Sequence, residues 1–336
     1  MAAPSIKEVA ERAGVSVGTV SNVLNRPEIV AAATRRRVQD SIKALGFVRN
    51  EAARHLRAGR SRTVGLIVLD VANPFFTDIA EGAETCAQEH ETLVMLCNSK
   101  TDQVREANHL DQLEQQRVLG VLITPLDGND PRLTAMAARG TPVVLVDRTT
   151  DRGLCSVSVD DQLGGRLAGT HLLEAGHRRI AFIGGPFGMQ QVSDRMAGVT
   201  TTVKQARNVK LQCHEVEVMG VSEGLAIGEQ IARLPARSRP TAAFLANDLL
   251  ALGFLQAMAV AGLRVPDDMA IVGYDDIHFA RAAAVPLSSV RQPAELLGRT
   301  AMELLQEEVE AADGHRHRQV IFQPELIVRD SSNFSR

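Results

Sequence analysis

Between residues 63 and 275, short apolar runs alternate with stretches patterned as helices. The runs are TVGLIVLD (63–70), TLVMLCN (92–98), LGVLIT (119–124), PVVLVD (142–147), RIAFIGG (179–185), TAAFLAN (241–247) and MAIVGYD (269–275). Helical patterns such as FFTDIAEGAETCAQEH and LLALGFLQAMAVAG lie between them. Runs this short and this continuously apolar suit strands buried on both faces, and parallel strands need a crossover that a helix supplies. The alternation therefore predicts parallel sheets covered on both sides, and seven strands over about 260 residues predict two α/β units.

The first 62 residues follow a different pattern. In SIKEVAERAGVSVGTVSNVLN, Ser5 and Glu8 have capping-box spacing. Ile6, Val9, Ala10 and Ala13 make one apolar helical face, and Gly14 suits a left-handed helix stop. Ser16 can cap a second helix whose inner face is Val20, Val23 and Leu24, with Val15 plugging the core between the helices. Its outer face, Val17, Gly18, Thr19, Ser21 and Asn22, is small or polar. That is helix-turn-helix geometry, with the second helix free to enter a major groove. A third amphipathic helix carries Val38, Ile42 and Leu45, begins near the basic cluster Thr34-Arg35-Arg36-Arg37 and stops at Gly46. A helical hairpin that only packs would not need the charge found here. Residues 1–62 hold twelve Lys/Arg against five Asp/Glu, a net +7, which leaves 25 against 35, or −10, for the rest. A basic head on an acidic body is the asymmetry expected when only the head meets phosphates.

Composition excludes several classes. No run of about 18 apolar residues occurs, so no membrane span is expected. MAAPSIKEV lacks a secretory apolar segment, and a cytoplasmic, nucleoid-associated location is expected. Cys86, Cys97, Cys155 and Cys213 are scattered, fitting neither a disulfide framework nor a metal knuckle, so buried thiols, with no metal or cofactor, are expected. No GxGxxG or GxxxxGK[ST] signals nucleotide chemistry. Gly220-Val221-Ser222-Glu223-Gly224 matches GxSxG, which opens an alternative: an α/β hydrolase with a DNA-targeting head that uses Ser222. No HGGG-type oxyanion loop precedes it.

Open α/β sheets bind ligands at the carboxyl ends of their strands. There the sequence places Asn73-Pro74-Phe75-Phe76, Asp147-Arg148, Arg195, Asn247-Asp248, Asp275 and Gln292. Singly these are turns, caps and surface charges. Together they offer apolar ring faces with carboxylate, amide and guanidinium groups, which suits a small polyhydroxylated ligand.

The head resembles the lactose-repressor (LacI/GalR) family of bacterial transcription regulators. Ile6 to Ala10, Ala13 to Ser16, Thr19 to Ser21, Val23 to Asn25, Val30, Thr34-Arg35, Ala53-Arg54 and Leu56 carry the likeness, which continues over nearly the whole chain. The resemblance implies a small all-α helix-turn-helix head plus an α/β effector domain of two Rossmann-like lobes, as in periplasmic sugar-binding proteins. It implies a head at 1–49, a hinge helix at 50–62, and a sugar-binding and dimerisation domain at 63–336. The lobes would be about 63–161 with 293–323, and 162–291 with 324–336, joined near Asp160–Gly164, Arg291–Gln292 and Pro324.

By the same resemblance Val17, Gly18 and Asn22 would read bases in double-stranded operator DNA. Ser16, Thr19, Ser21, Thr34 and Arg35 would hold phosphates, with Asn25 and Ala53 in the DNA-facing set and Leu56 as a minor-groove wedge. The effector residues Asn73, Phe75, Phe76, Asp147, Arg148, Arg195, Asn247, Asp275 and Gln292 are similar to the ribose contacts of the periplasmic ribose-binding protein. Met219 departs from that pattern, standing where the relative has an aromatic. The expectation is a dimeric repressor of a sugar-utilisation operon, released from a pseudo-palindrome by ribose or a related pentose. Another polyol, a hexose or a nucleoside is the alternative, and a purine fits the Asn-Pro-Phe-Phe wall less well. The ending SSNFSR carries no leucine heptad, so a homodimer rather than a tetramer is expected.

Overall fold

The computed structural model describes residues 4–48, 61–311 and 314–333. The chain divides into two compact units, residues 1–61 and 62–336. Leu56 and Ala53, with the rest of the expected hinge at 50–60, lie outside the described residues.

Among its described residues the first unit holds three helices, α1 (Ile6–Ala13), α2 (Val17–Asn25) and α3 (Ala32–Leu45), with a 3-10 turn at Pro27–Ile29. The capping box forms: the Ser5 amide donates to Glu8 Oε2 at 2.6 Å and the Glu8 amide to Ser5 Oγ at 3.4 Å. Gly14 ends α1 in the left-handed region at φ 63°, where a side chain would be strained. Ser16 caps α2 by accepting from the Thr19 amide at 3.1 Å. Val9, Ala10, Ala13, Val20, Val23 and Val38 form the core, and Ile6, Val15, Leu24, Ile42 and Leu45 pack around it.

The second unit holds two six-stranded sheets. The first runs β11-β5-β4-β3-β1-β2 and the second β12-β10-β9-β8-β6-β7. Their strands are β1 (Thr63–Val68), β2 (Leu93–Asn98), β3 (Gly120–Ile123), β4 (Val143–Val146), β5 (Cys155–Val159), β6 (Arg179–Gly184), β7 (Lys210–Glu215), β8 (Ala242–Leu245), β9 (Ala270–Asp275), β10 (Ser288–Arg291), β11 (Gln319–Phe322) and β12 (Glu325–Ile327). All pair in parallel except β12, which runs antiparallel to β10. Each of the seven apolar runs is a strand, and β1, β3, β4, β6, β8 and β9 are almost wholly buried, as helices on both faces require.

The helices are α4 (Pro74–Glu89), α5 (Gln103–Gln115), α6 (Pro131–Ala138), α7 (Asp161–Glu174), α8 (Gln190–Gln205), α9 (Val221–Ala232), α10 (Asp248–Val260), α11 (His278–Ala282) and α12 (Ala294–Ala311). The chain passes between sheets after β5, after β10 and after β11. Each lobe is therefore closed by chain that has visited the other. Among the described residues, no helix is long and apolar enough to cross a membrane.

One close approach positions the site. A Cβ added to Gly165 on α7 would lie 2.1 Å from the Arg195 carbonyl on α8, and one on Gly164 would lie 2.3 Å from the Tyr274 hydroxyl. The Gly164-Gly165 pair thus lets α7 and α8 meet backbone to backbone over β9, which delivers Arg195 to the strand ends.

Candidate functional site: a cleft between the lobes

Carboxyl ends of strands from both sheets face one cavity of about 80 Å³. Seven of the nine expected residues line it: Asn73, Phe75, Phe76, Asp147, Arg195, Asn247 and Asp275. Asn73 caps α4, its Oδ1 accepting from the Phe75 amide at 3.1 Å. That cap fixes the first turn of α4, so Phe75 and Phe76 present buried rings, edge to face with centroids 5.2 Å apart. Asn247 caps α10 by accepting from the Leu250 amide at 2.9 Å, and its Nδ2 donates to the Met219 carbonyl at 3.0 Å.

The charged groups are buried and interlocked. Arg195 Nε donates to Asp161 at 2.8 Å, Nη1 donates to the Ala246 carbonyl at 2.6 Å, and the guanidinium carbon lies 3.6 Å from the Tyr274 ring centroid. Burial pulls the Arg195 pKa down, but Asp161, Tyr274, Asp275 and Asp147 outweigh it and the net shift is upward, so the cation persists. Burial pushes the Asp275 carboxyl up to about 6, against the lowering effects of Arg195, Asn73 and Gln292. Asp147 rises to about 7 through burial and the nearby Asp161, opposed by Arg148 and Arg195. Asp147 and Asp275 also hold positive φ, 55° and 103°. Non-glycine residues pay for that conformation, and such strain gathers where side chains must be aimed.

Two amide–carboxylate hydrogen bonds span the lobes at this point. Asn73 Nδ2 donates to Asp275 Oδ2 at 3.1 Å, and Gln191 Nε2 donates to Asp147 Oδ2 at 2.6 Å. Asp147 Oδ1, Gln191 Oε1, Gln292 Oε1 and Arg148 Nη2 are buried without a hydrogen-bond partner. Orphaned buried polar atoms are costly, and here three are acceptors, which complement hydroxyl or amide donors of a small molecule.

The structure does not bring two expected residues to the cavity wall. Gln292 stands behind Asp275, donating from Nε2 to Asp275 Oδ1 at 2.8 Å. Arg148 lines a neighbouring pocket with Ser158, Asp160, Gln190 and Asp194. Asp248 is turned away too, accepting from Ser289 Oγ at 2.7 Å and the Ile277 amide at 2.9 Å. Sequence reasoning missed Gln191, Asp161 and Tyr274. Gln191 was findable, because it lies one helical turn before Arg195 on the same face of α8. Ser222 of the GxSxG match is exposed in the first turn of α9, seven residues beyond the end of β7, where a nucleophile elbow would need a tight strand-to-helix turn.

On the head, Ser16, Val17, Gly18, Asn22 and Asn25 are exposed and Thr19, Ser21, Thr34 and Arg35 half-buried. Val17 keeps 41% of its surface exposed although it is apolar. Asn25 Nδ2 donates to the Ser21 carbonyl at 2.9 Å.

Comparison with known proteins agrees with both units. Residues 5–50 match the bacterial regulatory proteins of the lacI family, and residues 170–332 match a periplasmic binding protein-like domain. The HTH-type transcriptional repressor PurR of Aliivibrio fischeri (strain MJ11) is 32% identical over 97% of this chain and 98% of its own. The lac repressor dimer bound to operator and the anti-inducer ONPF superimposes with a TM-score of 0.85 at 26% identity, covering 98% of this chain and 99% of that one. The transcriptional regulator CelR in complex with cellobiose gives 0.71 at 32% identity, with 98% and 99% covered. The chain belongs to the lacI family of bacterial regulatory proteins. It is a DNA-binding transcriptional repressor of that family, and its similarity is to repressors rather than enzymes.

Proposed function

We propose that this repressor is released from a pseudo-palindromic operator by a small sugar, ribose or a related pentose, held between the lobes by Asn73, Phe75, Phe76, Asp147, Arg195, Asn247 and Asp275. Gln292 orients Asp275 from behind, and Arg148 adds positive charge beside Asp147. The observation that carries this reading is the pair of amide–carboxylate bonds across the cleft, Asn73–Asp275 and Gln191–Asp147. Sugar hydroxyls both donate and accept, so they can take the place of each amide on its carboxylate while the Phe rings cover the C–H faces. A cavity of about 80 Å³ favours a monosaccharide over a disaccharide such as the cellobiose of CelR. A nucleoside or nucleobase is the second reading, since a relative 32% identical over nearly the whole chain is PurR.

Heads of a homodimer read two half-sites through Val17, Gly18 and Asn22, with Ser16, Thr19, Ser21, Asn25, Thr34 and Arg35 on the backbone, and Ala53 and Leu56 completing the contact from the hinge. A head at 1–49, a hinge at 50–62 and an effector domain from 63 form the working division of the chain. The test is a thermal-shift panel of pentoses, hexoses, polyols, disaccharides and nucleosides, followed by operator binding with each hit. A ligand at 100 times its dissociation constant raises stability by about 2.7 kcal/mol. Stabilisation by nucleosides alone would replace the sugar reading with the purine one.

A further inference from the structure

At the far end of the first lobe, four potential ligands converge that have no part in the effector cleft. Cys155 opens β5, Glu308 is on the last turns of α12, and His315 and His317 precede β11. One ligand atom from each lies within 4.8 Å of all the others. We propose that Cys155, Glu308, His315 and His317 form a four-coordinate site for a borderline divalent transition metal, with zinc as the reference ion.

The distances suit a tetrahedron with little adjustment. Ligands about 2.0–2.3 Å from a tetrahedral zinc lie roughly 3.3–3.8 Å from one another. Cys155 Sγ is 3.1 Å from His315 Nε2 and 3.7 Å from His317 Nδ1, and His317 Nδ1 is 3.8 Å from Glu308 Oε2. The donor set of one sulfur, two imidazole nitrogens and one carboxylate oxygen is borderline in softness and selects zinc or cobalt over magnesium or calcium. Glu308 Oε2 is buried with no hydrogen-bond partner, a costly state that a cation would relieve. The Arg318 amide donates to Cys155 Sγ at 3.4 Å, a backbone N–H aimed at the sulfur that a coordinated thiolate can accept. A histidine–glutamate ion pair would account for the His317–Glu308 approach but not for the thiol between two imidazoles. On metal binding the Cys155 thiol releases its proton to solvent and sulfur coordinates as thiolate, with no change of oxidation state.

All four positions are supplied by the chain, so the site is structural. It ties an edge strand, β11, and the end of α12 to β5. It lies at the amino ends of parallel strands, whereas the cleft lies at their carboxyl ends. Thr63 opens β1 at the same end of the same sheet. Such a site departs from the expectation, drawn from the scattered cysteines, of no metal. Cys155 and His315 are 160 residues apart, and only the fold brings them together.

The full-length protein, stripped with a chelator, should bind one Co²⁺ per chain. The thiolate-to-cobalt band in the near ultraviolet and the d–d bands of tetrahedral Co²⁺ should appear together and be displaced by Zn²⁺. Cys155→Ser should lose the thiolate band. His317→Ala and the double variant His315→Ala/His317→Ala, both in the segment before β11, test the site without touching the buried strand. Removing one ligand should weaken metal binding on the order of 100-fold, since loss of even an outer-shell partner costs 10–100-fold. Zn²⁺ should raise the melting temperature of the wild type and not of the double variant. Co²⁺ binding without a thiolate band, or equal Zn²⁺ stabilisation of wild type and double variant, would overturn the site.

Discussion

On α2 of the head, Val17, Gly18 and Asn22 stand in solvent, whereas around the cleft Asp147, Arg195, Asn247 and Asp275 are at most 6% exposed. The head's outward face makes few internal bonds. Each polar side chain of the cleft already bonds another group, with single acceptors on Asp147, Gln191 and Gln292 left over. A rigid duplex with a fixed lattice of phosphates can be met by a sparse surface, because the partner supplies the order. A small flexible ligand supplies none, so the protein must hold its carboxylates, amides and rings in place beforehand and bear the strain at Asp147 and Asp275. Specificity on DNA is therefore exchangeable with little cost to the fold. Specificity in the cleft is bound up with the stability of the second unit.

The largest expected effect separates the two regions outright. Residues 63–336 alone should fold, bind the effector and have no operator affinity. Specific operator binding by that fragment would break the division.

Next, Arg195→Leu leaves the Asp161 carboxylate buried beneath α8 without its cation. Breaking a buried pair from one side costs about 3–5 kcal/mol, so chemical denaturation should show a loss of that size. No substitution on the outer face of α2 should cost as much. A loss below about 1 kcal/mol would mean that Asp161 finds water and that the cleft is less tightly locked than its geometry indicates.

Asp275→Ala removes an acceptor facing the ligand. Loss of a charged hydrogen-bond partner costs roughly 1.5–3 kcal/mol, or about 10- to 150-fold in effector affinity. A ligand shifts an equilibrium only through its preference for one state. The variant should therefore hold operator normally and resist release. Measuring operator occupancy against effector concentration for both proteins decides it, and wild-type release by the variant would remove Asp275 from the pocket.

The raised carboxyls set a pH dependence of definite sign. The folded protein retains protons on Asp147 and Asp275 that the unfolded chain has lost, since burial lifts them to about 7 and about 6. Their contribution to stability is complete below the ordinary carboxyl range and is lost as pH rises through 6 and 7. Unfolding free energy should fall between pH 5 and pH 8, by at most about 1.4 kcal/mol per pH unit for each group. Asp147→Asn should flatten the upper part of that slope, and an unchanged slope would contradict the assignment.

The smallest effect belongs to the head. Arg35→Ala should weaken specific and non-specific DNA binding alike and lower the salt slope by about 0.9 for one lost phosphate contact. An effect confined to the specific operator would make Arg35 a base reader.

The sequence made the local features plain. Capping at Ser5 and Ser16, the stop at Gly14 and the seven apolar runs are encoded within a few neighbouring residues, and each became the element its pattern implied. The strand-end rule found Asp147, Asn247 and Asp275 because each closes an apolar run, and Asn73 because it lies three residues past one. What stayed hidden depends on contacts between distant segments. Nothing near Tyr274 announces that it lies under Arg195, and Asp161 reads as an ordinary first-turn acid. Strands β5, β7, β10, β11 and β12 escaped because polar residues interrupt them: Ser156 and Ser158 in β5, Gln212 and His214 in β7, Ser288 and Ser289 in β10, Gln319 in β11 and Glu325 in β12. The convergence of Cys155, Glu308, His315 and His317 depends on β11 returning beside β5 after the chain has passed through the other lobe.

The sequence holds no tryptophan and a single tyrosine. That tyrosine, Tyr274, is fully buried under the Arg195 guanidinium, with the Phe244 ring centroid 6.3 Å away. Its consequence is optical. Above the phenylalanine absorption band, the ultraviolet emission of the whole chain comes from one ring beneath the cleft, with no other chromophore to mask it. A shift of Arg195 changes the field and contact on that ring, so an unlabelled sample carries its own reporter of cleft occupancy. Sugars and polyols do not absorb there, and titrating them against tyrosine emission follows the event at the residue itself.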